Sequence, residues 1–390
     1  MALPEISALR SRMEREPYDS ARTSAALRVA ARSLLGANAT LHAELVASTG
    51  LSLPMVQWGL TTSLDAILQA PLEALVQTNV PPSPKPELIG VVLAGNIFSA
   101  CLRALSLPLL AGAHVLAKTA SAEGVLARAW QKALLAADSG IGARLSVLQF
   151  PRSDTAATRA LCESVAALSV YGDDTTIADF AQLTAAGCRL IPHGHGVSAA
   201  YITEHALRDE SSARAAAERL ALDIAAYDQR GCLSPQFVCV QTGAQVSPDA
   251  FAQLLADYAL PRVAQRLPLG TLTLEERAAR MQWQAAAAVR GELYAHEAHA
   301  VSFEDTLPAR PSPGGRLVTV HATENLAAVQ RTLEPFARHL KCLGIAGTTA
   351  SLDTWLASFS EAALCPCGEM QTPAFDAWAD GRAPFAGLIS

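Results

Sequence analysis

From Leu88 onward the chain alternates short aliphatic and β-branched runs with longer stretches of helical spacing, and few folds accept that pattern. Residues 88–93, 114–117, 145–150 and 167–171 read as strands. The segment ending near Gly112 and residues 123–137, 155–163 and 175–186 read as the helices between and after them. A strand, a crossover helix and a second strand pack as a parallel pair with helices on the sheet faces. The predicted class is therefore α/β and doubly wound, with its ligand crevice at the carboxyl ends of the strands. A second α/β pattern follows: strand 197–202, helix 213–227, strand 237–241, helices 248–259 and 274–293, strand 317–321, helix 325–333, strand 340–345 and helix 352–360. A chain of 390 residues exceeds one ordinary core, and two such patterns predict two α/β domains.

The first 80 residues differ, with helical spacing over 20–35, a second helix ending near Gly50, and a third over 55–76. The proline-rich stretch Val80-Pro-Pro-Ser-Pro-Lys-Pro86 then fits neither helix nor central strand and acts as a connector. Residues 308–315 are a loop by composition, and the last 25 residues, turn-rich and aromatic, are expected to pack back across the molecule. The resulting division is 1–192 for the N-terminal helices and a dinucleotide-binding domain, 193–364 for a catalytic domain, and 365–390 for a tail returning to the cofactor domain.

Composition excludes several functions. With 30 basic against 36 acidic residues and no basic stripe, the chain is not a nucleic-acid binder. Its longest nearly apolar stretch, 105–117, carries Pro108 and His114 and is too short to span a bilayer. The first 20 residues hold no signal-peptide core, and eight irregularly spaced cysteines do not form a disulfide framework. The expectation is reduced thiols in the cytoplasm.

Three places carry candidate chemistry. Asn96 follows the first strand in Gly95-Asn96-Ile97, and Lys118 ends the next strand. The glycine triad of a common dinucleotide fingerprint is missing, and a lysine stands where a ribose-binding acid is usual. A cation there suits a ribose 2′-phosphate or hydroxyl; equally, Lys118 reads as a solvated strand end and Asn96 as a turn residue bonding its own backbone. Gly172 and Asp173 open a tight turn before a helix, which suits either a phosphate or a capping carboxylate, and capping is favoured. Cys232, between Gly231 and Pro235 and near Arg230, has the setting of a nucleophilic loop thiol, whereas Cys101 and Cys239 sit in apolar core elements. Cys365-Pro-Cys367 lacks a second pair at zinc spacing, and His193 and His195 read first as exposed loop residues.

Taken in order, these segments resemble the aldehyde dehydrogenase superfamily, and within it the LuxC-type acyl-CoA reductases, the fatty acid reductases of bacterial bioluminescence. The matching stretches are Ala94-Gly-Asn-Ile97, Lys118-Thr-Ala-Ser121, Tyr171-Gly-Asp-Asp-Thr-Thr-Ile177, Asp228-Gln-Arg-Gly-Cys-Leu-Ser-Pro235, and Cys367-Gly-Glu-Met-Gln371 with Trp378-Ala-Asp-Gly-Arg382. The resemblance covers roughly residues 85–385 and implies an aldehyde dehydrogenase-like fold. It implies Cys232 as the acyl-accepting nucleophile, and the Asn96 amide with the Cys232 backbone N–H as the oxyanion holders. Lys118 and Ser121 would then lie on the adenosine side, and Gly172 and Asp173 at the cofactor turn. Ala120 and Ser121 replace the acid that hydrolytic members place there, which favours NADPH, with NADH the alternative. The stretch Leu190-Ile-Pro-His-Gly-His-Gly196 stands where hydrolytic members carry their glutamate base. Its lack of a carboxylate favours reduction of a thioester to the aldehyde over hydrolysis. The implied substrate is an acyl-CoA or an acyl-carrier protein. An aldehyde-oxidising enzyme with His193 or His195 as base, and an inactive scaffold, are the alternatives. Asp173 departs from the serine usual in that turn, and the short connector before Leu88 leaves homo-oligomerisation open.

Overall fold

The computed structural model describes residues 3–13, 17–36, 39–120, 123–305, 308–348, 359 and 361–389. The expected helix at 352–360 lies outside these except for Phe359, and Ser121 lies outside them too. Five parallel strands form the first sheet: β1 (Leu88–Val92), β2 (His114–Lys118), β3 (Leu145–Leu148), β4 (Ala167–Tyr171) and β5 (Arg189–His193), in the order β3-β2-β1-β4-β5. The second sheet holds β6 (Val197–Ile202), β7 (Pro235–Gln241), β8 (Glu292–Ala295), β9 (Ala300–Glu304), β10 (Leu317–Thr323), β11 (Leu340–Ala346) and β12 (Ala363–Pro366). Its order is β12-β11-β6-β7-β10-β9-β8, and of these pairings β8–β9 alone is antiparallel. The α/β class stands.

The central strands were legible because both their faces are covered. β1, β2 and β6 are buried along their whole length, and a strand buried on both faces reads as a continuous apolar run. The strands β5, β8 and β12 lie at sheet edges and lack a continuous apolar run, whereas the edge strand β3 keeps one and is legible. β5 carries Pro192, whose missing N–H costs nothing on an open edge. The expected helix 274–293 stops at Arg290, Gly291 ends it, and β8 takes up the chain; β9 was missed with it.

The N-terminal helices brace both sheets. The expected single helix over 55–76 is two, Leu53–Gln69 and Leu72–Asn79. Pro71 divides them: its ring pushes Ala70 out of helical geometry, to ψ 139°. Helix Ser20–Leu35 packs on helices Leu53–Gln69 and Val125–Ala137, and Arg22 grips Asp138, the cap residue after the latter. Tyr18 donates its hydroxyl to the Leu110 carbonyl.

Candidate active site

Chain connections leave β1 and β4 in opposite directions across the first sheet, so the crevice beyond their carboxyl ends is a topological switch point, where open α/β sheets bind ligands. A cavity of about 1130 Å³ opens there, walled on its far side by the second sheet and the tail. It brings together Asn96, Gly172, Asp173, Cys232, Lys341 and Asp380. Lys118 is not among the described residues that line it.

The cysteine loop is held in an uncommon backbone state. Helix Glu210–Ala225 ends, and Tyr227, Asp228 and Gln229 follow at φ 52°, 53° and 62°. Left-handed geometry costs an L-residue about 1–2 kcal/mol each, so three in a row need firm support. The side chains of the same residues supply it. Asp228 and Arg316, 0% and 1% exposed, form an ion pair at 2.7 Å, and Asp228 also accepts the Gly270 N–H. Gln229 donates to the Pro235 and Leu317 carbonyls and accepts the Leu317 N–H. The Tyr227 hydroxyl bonds Ser99 at 2.8 Å, and its ring lies edge-on to Trp58 and Phe98. Gly59 gives that ring its space: a Cβ there would stand 2.8 Å from it. The helical N-terminal region, the first sheet and the second sheet thus meet in one turn, and that turn aims the loop.

Cys232 follows on the crevice wall, open to solvent through the cleft but ringed by protein, and its carbonyl accepts the Ser198 hydroxyl at 2.7 Å. Burial pushes the Cys232 thiol up; Lys341 is the main influence pulling it back, and Asp380 pushes it up again. The sequence reading set Arg230 beside the thiol, and the structure corrects this. The Arg230 guanidinium turns away to Glu276 at 2.9 Å and to the Thr49 and Thr271 carbonyls, so its charge is spent fastening the loop.

Asn96 does not bond its own turn. Its Nδ2 donates across the crevice to the Arg230 carbonyl at 3.1 Å, two residues before Cys232. Gly95 permits the close path behind it, since a Cβ there would stand 3.0 Å from the Ala120 Cβ. Asp173 is exposed and caps helix Asp174–Leu183 by accepting the Thr176 N–H, and these bonds hold its carboxyl below the usual range. Lys118 ends β2 buried under the Phe150 ring, 5.1 Å from its centroid, and burial, then Arg152, draws its ammonium down. Beyond it, the buried Glu123 caps helix Val125–Ala137 through the Val125 and Leu126 N–H groups. Cys101 and Cys239 are buried in the core as read.

The tail supplies what the sequence reading missed. Asp380, at φ 54°, bonds His193 Nδ1 at 2.8 Å from the end of β5, Lys341 Nζ from the start of β11, and Arg382. Arg103 holds the Phe375 and Ala377 carbonyls, Arg189 holds that of Gly387, and Asp223 accepts the Gly368 and Met370 N–H groups. The tail is thereby tied to both sheets. His193 is not an exposed loop residue: it ends β5, stacks on Tyr171 at 4.1 Å, and is mostly buried. Burial draws its imidazole down, Asp380 opposing, so the neutral ring donates from Nδ1 to the carboxylate. Burial alone would raise Asp380, but the bonds from His193 and Lys341 outweigh it and hold it well below the carboxylate range. His195 is exposed, as expected. No spacing rule joins residues 193, 341 and 380; a lysine on an otherwise apolar strand was the one signal available.

Solved structures of aldehyde dehydrogenase type share this arrangement of two sheets around a crevice. An oxidoreductase from Marinobacter aquaeolei superposes with a TM-score of 0.77 at 15% identity, over 97% of this chain and 84% of that one. An NAD-dependent aldehyde dehydrogenase from Sinorhizobium meliloti gives 0.69 at 15% identity, over 93% and 77%. Glyceraldehyde-3-phosphate dehydrogenase GapN from Methanocaldococcus jannaschii, complexed with NADP, gives 0.71 at 13% identity, over 94% and 87%. The fold is that of the aldehyde dehydrogenases. No curated protein sequence matches the chain significantly. The sequence profile of the acyl-CoA reductase (LuxC) family matches residues 80–388, and the chain belongs to that family, oxidoreductases that form aldehydes from acyl groups.

Proposed function

We propose that the protein reduces an acyl thioester, from acyl-CoA or acyl-carrier protein, to the aldehyde through an acyl group carried on Cys232, with NADPH as reductant. The observation that carries this reading is the Asn96 amide reaching from β1 to the Arg230 carbonyl beside Cys232, inside one cavity. A carboxamide has two N–H donors. One fixes Asn96 to the cysteine loop, and the other remains for an oxygen on a carbon attacked by Cys232.

The Cys232 thiolate forms the S–C bond at the thioester carbonyl, and the carbonyl electron pair moves to oxygen. Asn96 and the Cys232 backbone N–H hold that oxyanion, which collapses to expel the donor thiolate and leave the acyl-cysteine. No carboxylate occurs in the stretch 190–196, so no glutamate base stands there to activate water against this thioester. The switch-point crevice, with Gly95 and Gly172 on its lining, fits a dinucleotide, and Lys118, which ends β2 outside that lining, would have to leave the Phe150 ring to meet its adenosine side. Bound nicotinamide supplies a hydride to the acyl carbon. Asn96 then holds the resulting thiohemiacetal oxyanion until it collapses and the C–S bond breaks, freeing aldehyde and the Cys232 thiolate. Asp173 already fills the N-terminus of helix Asp174–Leu183 with its own carboxylate, so the cofactor phosphates are held elsewhere in the crevice.

Intact-mass analysis after incubation with a panel of acyl-CoAs tests the reading. A single acyl adduct forms, NADPH removes it with release of aldehyde, and Cys232→Ala abolishes it. An adduct that survives Cys232→Ala refutes the assignment, and free acid formed from aldehyde without CoA supports oxidation instead.

A further inference from the structure

Once Arg230 is committed to Glu276, the cysteine loop needs another source of positive charge, and the crevice holds one. Lys341 is the second residue of β11, and the next, Cys342, pairs in register with Ser198 on β6; the Ser198 hydroxyl holds the Cys232 carbonyl. The sheet therefore fixes Lys341 and Cys232 on the same wall. Gly196 is cut away for the lysine: a Cβ there would stand 2.1 Å from the Lys341 Cγ. The ammonium is held by Asp380, both side chains being 14% exposed, and Asp380 is itself anchored by His193 and Arg382. A lysine this enclosed keeps one position, whereas a surface lysine wanders.

We propose that Lys341, oriented by Asp380, is the positioning residue that favours Cys232 as the attacking thiolate. Of the other charged groups lining the cavity, Arg103 is bonded to the Phe375 and Ala377 carbonyls and Asp173 caps its own helix. Arg230 and Glu276 neutralise each other on the loop, Glu361 and Glu369 line the cavity with negative charge, and His193 is neutral behind Asp380. The influences on the thiol are opposed: Lys341 lowers it, whereas burial and Asp380 raise it. The arrangement suits a thioester substrate: Lys341 opposes the burial that keeps the Cys232 thiol protonated, so no base has to stay beside the acyl-cysteine, where it would activate water.

Alkylation of Cys232 by iodoacetamide reads the thiolate alone, as the S–C bond forms and iodide leaves. It uses neither substrate nor cofactor, so its outcome is independent of whether the acyl adduct described above forms. Rates are followed by intact mass from pH 6 to 10 on the full chain. Lys341→Met moves the profile to higher pH, with about tenfold slower labelling below the midpoint for each pH unit of displacement. Asp380→Asn keeps an oxygen for Lys341 but removes the charge, and moves the profile to lower pH. That opposite displacement distinguishes a field effect from loosened packing, and it carries the test if Lys341→Met does not fold. A Lys341→Met profile coincident with the wild type overturns the inference, as does an Asp380→Asn profile displaced upward or not at all.

Discussion

Replacing Asn96 with alanine separates what the residue does for the fold from what it does for the reaction. In the resting protein Asn96 makes one hydrogen bond from its side chain, to the Arg230 carbonyl, and it lies exposed. An exposed bond of this kind contributes about 0.5–1.5 kcal/mol, and water replaces it when the amide is gone. The Arg230 backbone keeps its supports, since its guanidinium still holds Glu276 and Thr49 and its N–H still reaches the Tyr227 carbonyl. Stability should therefore fall by no more than about 1.5 kcal/mol. The reaction loses far more, because an oxyanion donor contributes about 2.7–4 kcal/mol, or roughly 10²–10³ in rate. Asn96→Ala should still show the Cys232 adduct by mass, formed slowly, with NADPH oxidation reduced roughly 10²–10³-fold and a melting temperature within a few degrees of wild type. Stopped-flow absorbance of NADPH under single turnover, beside a thermal melt, gives both numbers. A rate within threefold of wild type would refute the oxyanion role, and a large drop in melting temperature with proportionate loss of rate would make Asn96 a fold residue.

Two further outcomes follow from the buried carboxylates. Asp228→Asn tolerates the left-handed backbone and keeps an acceptor for Gly270, but strands the buried Arg316 charge. Breaking such a pair costs about 3–5 kcal/mol. A clear fall in melting temperature and slowed alkylation of Cys232 are expected; a melt unchanged within a degree would contradict the account of the turn. Asp223 is raised to about 7 by burial, against the lowering bonds from Gly368 and Met370. Its folded value exceeds the unfolded value of about 3.9, so the native state binds the extra proton. Its contribution is complete below about pH 4 and is lost as pH rises through about 7, with a slope of at most about 1.4 kcal/mol per pH unit. Melting curves at pH 5 to 8 should converge or cross for wild type and Asp223→Asn, the variant falling less with pH. Parallel curves would show that Asp223 does not titrate there.

What could be read in advance was what local chemistry dictates. The strands β1, β2, β4, β6 and β7 were visible because a strand covered on both faces must be apolar throughout, and the helix Ser20–Leu35 because its spacing is regular. The family was visible because Cys232 lies in a run of neighbouring residues whose chemistry is shared along the chain, not across it. The edge strands β5 and β8 were hidden, since an exposed edge accepts proline and polar residues and loses the apolar signature.

The sequence on its own determined the α/β class and the acyl-CoA reductase family and marked Cys232 as the candidate nucleophile, all of which depend on residues close together in the chain. The tertiary structure decided which charges face that cysteine. Arg230 is its near neighbour in sequence yet pairs with Glu276, while Lys341 and Asp380 line the same cavity from a strand and a tail more than a hundred residues on. Coulomb interactions act through space, and only the packing of two sheets and a returning tail sets those distances.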